Sequence, residues 1–60
     1  MKNGDRVCVK YEHRYTAPIS SHKIYDVLNI VGDRVTLGYT KHGQCETFHN
    51  VEKRYLTKWP

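Results

Sequence analysis

Hydrophobic residues along this chain recur with a period nearer two than 3.6. Val7, Val9 and Tyr11 alternate with Arg6, Cys8 and Lys10, the pattern of a strand with one buried face. A run rich in β-branched residues extends from Ile24 to Val31, and Arg34 to Tyr39 alternates again through Val35, Leu37 and Tyr39. Between these two runs lies Gly32-Asp33. It is a two-residue hairpin signal, because glycine takes the positive φ of a primed turn without steric cost.

The turn predicts a register. Val31 faces Arg34, Ile30 faces Val35 and Leu28 faces Leu37, giving one continuous apolar face. Asn29 then pairs with Thr36 and Tyr25 with Thr40 on a face turned to solvent. A slip of one residue would expose the apolar set, so burial enforces the pairing. A second hairpin follows around His42-Gly43, with Gln44 opposite Lys41, Glu46 opposite Tyr39 and Phe48 opposite Leu37. Phe48 thereby joins the core face, and Cys45 falls opposite Thr40 on the outer one. Cys8 also lies opposite the apolar side of its strand, so both thiols are expected outward and unpaired.

The remaining segments connect. Glu12 to Lys23 carries Pro18, Ser20 and Ser21 without sustained alternation, a long polar loop after the first strand. Asn50 to Arg54 is polar around Val51 and predicts a single helical turn, and Tyr55 to Lys58 a short last strand with Leu56 closing the core. The expected core is Val7, Val9, Leu28, Ile30, Val35, Leu37, Phe48 and Leu56, with Tyr11 and Tyr39 on inward faces. The fold class is all-β: a small, strongly bent antiparallel barrel of about five strands forming a single domain over residues 1–60. Gly-Asp-Arg-Val occurs at Gly4 to Val7 and again at Gly32 to Val35, but the flanking residues do not repeat, so turn-then-strand chemistry explains both copies.

Composition narrows the function. No run approaches the roughly 18 apolar residues of a membrane span, and Met1 to Asp5 carries no apolar stretch of a secretory signal. Membrane insertion is not expected. Ten Lys and Arg against six Asp and Glu give a net charge of +4, which favours polyanionic partners such as nucleic acid, anionic membrane or the phosphate-rich polymers of a bacterial wall. Cys8, His13, His22, His42, Cys45 and His49 form no paired ligand spacing, so neither a metal nor another cofactor is expected. No nucleophile elbow, metal-binding helix or phosphate loop is present either, and an enzyme is not expected from so short a chain.

Aromatic and basic residues are the remaining resource. Tyr15 lies in the long loop, Tyr25 on the outer face of the derived register, and Tyr55 and Trp59 near the carboxyl end. Each presents an apolar ring with a polar handle, suited to sugar faces, peptides or stacked bases. Arg14 adjoins Tyr15, and Lys53-Arg54 adjoins Tyr55, an interleaving suited to an anionic chain with stackable faces. The candidate ligand-binding residues are therefore Arg14, Tyr15, Tyr25, Lys53, Arg54, Tyr55 and Trp59.

Gly4-Asp5-Arg6-Val7, Tyr25-Asp26-Val27, Gly32-Asp33-Arg34-Val35 and Leu56-Thr57-Lys58 together resemble the bacterial SH3-like domains at the carboxyl ends of phage endolysins and N-acetylmuramoyl-L-alanine amidases. The resemblance covers most of the chain, with 12–23 and 40–46 particular to this sequence. It implies a non-catalytic domain that directs a lytic enzyme to Gram-positive cell-wall peptidoglycan or teichoic acid. It further implies synthesis in the host cytoplasm, action at the wall, and association with a full-length lysin or with further copies of itself. Tyr25, Thr36 and Thr40 are the candidate face for self-association. The competing reading is a small basic barrel that binds nucleic acid, supported by a pI near 9.3.

Overall fold

The computed structural model describes residues 1–59. Five strands form one antiparallel sheet: β1 (Arg6–Val9), β2 (Tyr25–Val31), β3 (Arg34–Lys41), β4 (Gln44–Glu52) and β5 (Leu56–Lys58). Their order is β4-β3-β2-β1-β5. Two 3-10 turns complete the chain, Tyr11–His13 after β1 and Lys53–Tyr55 before β5. The protein is thus all-β, an architecture consistent with an SH3-like fold. Its sheet does not close, because β4 and β5 remain its two edges.

Both hairpins form where expected. At His42-Gly43 both central residues have positive φ, 52° and 78°, the requirement of a type I′ turn. The register beyond it runs Lys41↔Gln44, Thr40↔Cys45, Tyr39↔Glu46 and Leu37↔Phe48, as the sequence predicts. At Gly32-Asp33 the pairs Val31↔Arg34, Ile30↔Val35 and Asn29↔Thr36 also hold.

Beyond that point β2 departs from expectation. Val27 pairs with Leu37, so Leu28 is the extra residue of a β-bulge. A bulge sets two residues against one and reverses which face the following residues take. Tyr25 and Val27, not Leu28, therefore point inward, and each is only 1% exposed. Leu28 is 46% exposed and lies across Gly38, where an added Cβ would stand 3.0 Å from its Cδ1. The expectation that Tyr25 faces solvent, as a ligand contact or as part of a self-association face, is corrected by this bulge.

A second bulge lies in β4, between Leu37↔Phe48 and Val35↔Val51. Asn50 there has φ 59°, a left-handed conformation that asparagine tolerates better than most residues. The bulge turns Val51 into the core, 2% exposed, where the sequence predicted a helical turn over 50–54. That turn instead occupies Lys53–Tyr55, which shortens the last strand by one residue.

The core is Val7, Tyr25, Val27, Val35, Leu37, Val51 and Leu56, with Ile19, Ile30, Tyr39 and Phe48 packed against it. Val9 is buried beside them. Tyr11 is 78% exposed instead of inward, because β1 ends at Val9 and Lys10 turns the chain into the first 3-10 turn. The Tyr25 ring stands edge-on to Phe48, with centroids 5.5 Å apart. Its hydroxyl accepts from the Ser20 N–H at 3.1 Å and donates to the Ser20 carbonyl at 3.4 Å. One core side chain thereby fastens the long loop, helped by Ile19. Burial of the ring pushes the phenol pKa up, partly offset by the Ser20 bond and reinforced by nearby Tyr39 and Glu46.

Candidate functional site

The loop after β1 is built from overlapping turns. The N–H groups of His13, Arg14, Thr16 and Ala17 donate to the carbonyls of Lys10, Tyr11, His13 and His13. Such helical winding places residues four apart on one side. Tyr11 and Tyr15, 78% and 88% exposed, stand there with Arg14. The Arg14 guanidinium carbon lies 3.8 Å from the centre of the Tyr11 ring and 4.8 Å from that of Tyr15. Its Nη1 donates to the Tyr11 carbonyl at 2.8 Å. Stacking and this hydrogen bond hold the guanidinium against the turn.

Beside this cluster lies a hollow of ≈ 360 Å³ lined by Cys8, Val9, Tyr11, Arg14, Ser21, His22 and Thr57. Cys8 and Thr57 are register partners across β1 and β5, so the hollow sits on the outer side of that pair. No carboxylate lines it. A second hollow, of ≈ 240 Å³, lies among Arg6, Ile24, Asp26, Tyr39 and Thr40. Its charges oppose one another, since Arg6 Nε is 3.8 Å from Asp26 Oδ1.

Tyr55 joins the carboxyl-terminal turn to the loop. Its ring meets His13 edge-on, with centroids 5.1 Å apart. Arg54 lies over the same ring at 4.9 Å and donates from Nη2 to the Tyr55 hydroxyl at 3.0 Å. The Arg54 guanidinium also binds Glu52 Oε2, from Nε at 3.3 Å and Nη2 at 3.1 Å, and Arg34 Nη1 lies 3.7 Å from Glu52 Oε1. Partial desolvation pushes the Glu52 carboxyl up, but hydrogen bonds from Tyr55 and Arg54 and the charges of Arg54 and Arg34 outweigh it and hold it below its ordinary range. Lys53 is exposed, and its backbone N–H donates to the Asp33 carbonyl at 2.8 Å. Trp59 is 44% exposed, with its backbone N–H on the Arg6 carbonyl at 2.8 Å.

Of the residues expected at a ligand site, Arg14 and Tyr15 are therefore in contact, and Tyr55 packs on His13 of the same turn. Arg54 adjoins Tyr55 but is engaged by a carboxylate, and Tyr25 belongs to the core. No aromatic or cation contact among the described residues ties Trp59 or Lys53 to the Arg14 cluster. Tyr11, Ser21, His22 and Thr57 are additions that the strand pattern concealed. The spacing Tyr11-x-x-Arg14-Tyr15 was the available signal for Tyr11, since it matches one turn of helix.

Among the described residues no group of three His, Cys, Asp or Glu side chains converges to hold a metal ion. No helix is long and apolar enough to cross a membrane. No family model, curated protein or solved structure matches this chain.

Proposed function

We propose that this protein is a non-catalytic cell-wall-binding domain or subunit that targets a phage endolysin to the Gram-positive wall. The observation that carries the reading is the exposed Tyr11–Arg14–Tyr15 cluster at the rim of a hollow without carboxylates. Exposed rings suit sugar faces or peptide backbone, and a guanidinium suits the anionic groups of peptidoglycan or teichoic acid. The all-β fold and the short motifs of the family resemblance support the same reading. One such site is small, so binding by one copy is weak and pairing with a full-length lysin or further copies raises avidity. Thr40, exposed on the outer face, stays available for such pairing.

The test is co-sedimentation of labelled protein with purified Gram-positive walls at two salt concentrations. Retention at both salts supports wall targeting. Absence of retention on every wall, together with RNA or DNA binding that weakens steeply with salt, overturns it in favour of a nucleic-acid-binding barrel.

A further inference from the structure

The four arginines of the chain differ in one respect. Arg6 faces Asp26 at 3.8 Å, Arg34 faces Asp33 and Glu52 at 3.7 Å, and Arg54 binds Glu52 at 3.1 Å. Arg14 alone meets no carboxylate among the described residues. Its contacts are two tyrosine rings and one backbone carbonyl. A guanidinium has five N–H donors in a rigid fork, and the Tyr11 carbonyl takes a donor from Nη1 only. Donors from Nε and Nη2 remain for a ligand.

We infer that the hollow beside Arg14 receives a single phosphodiester group of a wall polymer, with its attached polyol or sugar lying against Tyr11 and Tyr15. This assignment rests on the wall-binding reading and names its ligand as teichoic-type polyol phosphate. Three features favour it. Arg14 lines the hollow together with Ser21, His22 and Thr57, three residues whose side chains can also hydrogen-bond. The Arg14 fork matches the two charged oxygens of a phosphodiester bidentately. Cys8 and Val9, which also line the hollow, offer the carbon skeleton of a polyol an apolar surface. Finally, no carboxylate lines the hollow or pairs with Arg14 among the described residues, so its positive charge stays available to an anionic group.

The experiment has two arms. In the first, amide chemical shifts of the labelled protein are followed during titration with glycerophosphoglycerol, with glycerol and the dipeptide D-alanyl-D-alanine as comparisons. Expected are shifts confined to Cys8, Val9, Tyr11 to Arg14, Ser21, His22 and Thr57, seen with the phosphodiester only. Arg14→Gln removes the charge and Arg14→Lys keeps it without the fork. The first weakens binding at least about tenfold, the loss of a charge-assisted bond, and the second falls between it and the parent. His22→Gln gives a smaller loss. An unchanged spectrum elsewhere shows that each variant is folded.

In the second arm, retention is measured on walls before and after hydrofluoric acid strips their phosphodiester-linked polymers. Loss of retention on stripped walls is expected. Equal retention on stripped walls, with no shifts from the phosphodiester, overturns the ligand and leaves wall targeting standing. Shifts at the hollow without retention on any wall overturn wall targeting and leave the phosphate site standing. Shifts caused by the dipeptide instead, or located away from the hollow, overturn the assignment. Tighter binding of a single-stranded RNA than of the polyol phosphate at matched salt overturns it in favour of nucleic acid.

Discussion

Arg14-Tyr15 and Arg54-Tyr55 are the same dipeptide, forty residues apart, and the fold gives them opposite electrostatic fates. Both guanidiniums lie over tyrosine rings, at 4.8 Å and 4.9 Å. Glu52 reaches Arg54 from the end of β4, just before the second 3-10 turn, and the resulting ion pair occupies the fork. In the turns after β1 the one nearby acidic residue, Glu12, forms no ion pair among the described residues, and Arg14 stays uncompensated. A basic residue beside an aromatic one therefore identifies a binding group only when the fold withholds a carboxylate from it.

The largest effect should come from neutralising the two arginines in parallel. Arg14→Gln is expected to reduce wall retention at least about tenfold, and Arg54→Gln to leave it within about twofold, as suits a solvent-exposed ion pair. Equal losses in the sedimentation assay would erase the distinction. Next come the rings. Tyr11→Ala and Tyr15→Ala should each weaken retention about five- to tenfold, in line with one stacking contact, whereas Trp59→Ala should weaken it less. A dominant loss at Trp59 would move the site to the carboxyl end.

Tyr25→Phe separates support from contact. It removes the hydroxyl that ties Ser20, and thermal or urea unfolding should show a loss of about 1 kcal/mol. Retention at saturating stability should be unaffected, since the ring is enclosed. The smallest effect concerns Glu52. Its folded pKa lies below the ordinary value of 4.5, so its stabilisation is present above that pH and disappears as pH falls through the depressed folded value. Glu52→Gln should flatten this acid-side decline in melting temperature without altering retention at pH 7. An unchanged acid profile would show that the ion pair with Arg54 contributes nothing.

Much of the fold was legible because turn chemistry and period-two patterning agree. His42-Gly43 set the second hairpin, and every pair from Lys41↔Gln44 to Leu37↔Phe48 followed. The pattern failed where an extra residue reverses the faces. Val27-Leu28 is the phase break: Tyr25 and Val27 belong to one alternation, Ile30 to the next, and adjacent apolar residues at the junction mark the bulge. The second bulge was hidden because His49, Asn50 and Glu52 surround Val51 with polarity. For the site, Arg14 and Tyr15 were visible as neighbours, but their setting was not. The hollow brings together residues from β1, the long loop and β5, and only tertiary contact assembles them. The engagement of Arg54 likewise depends on how Glu52 is turned by the chain just before it.

The bulge at His49 and Asn50 also has a bearing on solubility. β4 is a nine-residue edge strand with free backbone groups along one side, the kind of template on which chains add to one another. The interruption leaves only Gln44 to Phe48 as regular backbone, five residues before the strand bends away. Self-propagating cross-β stacks draw on segments of about six or seven residues. A left-handed asparagine thus shortens the regular stretch of the molecule's longest edge strand, and with it the template open to another chain.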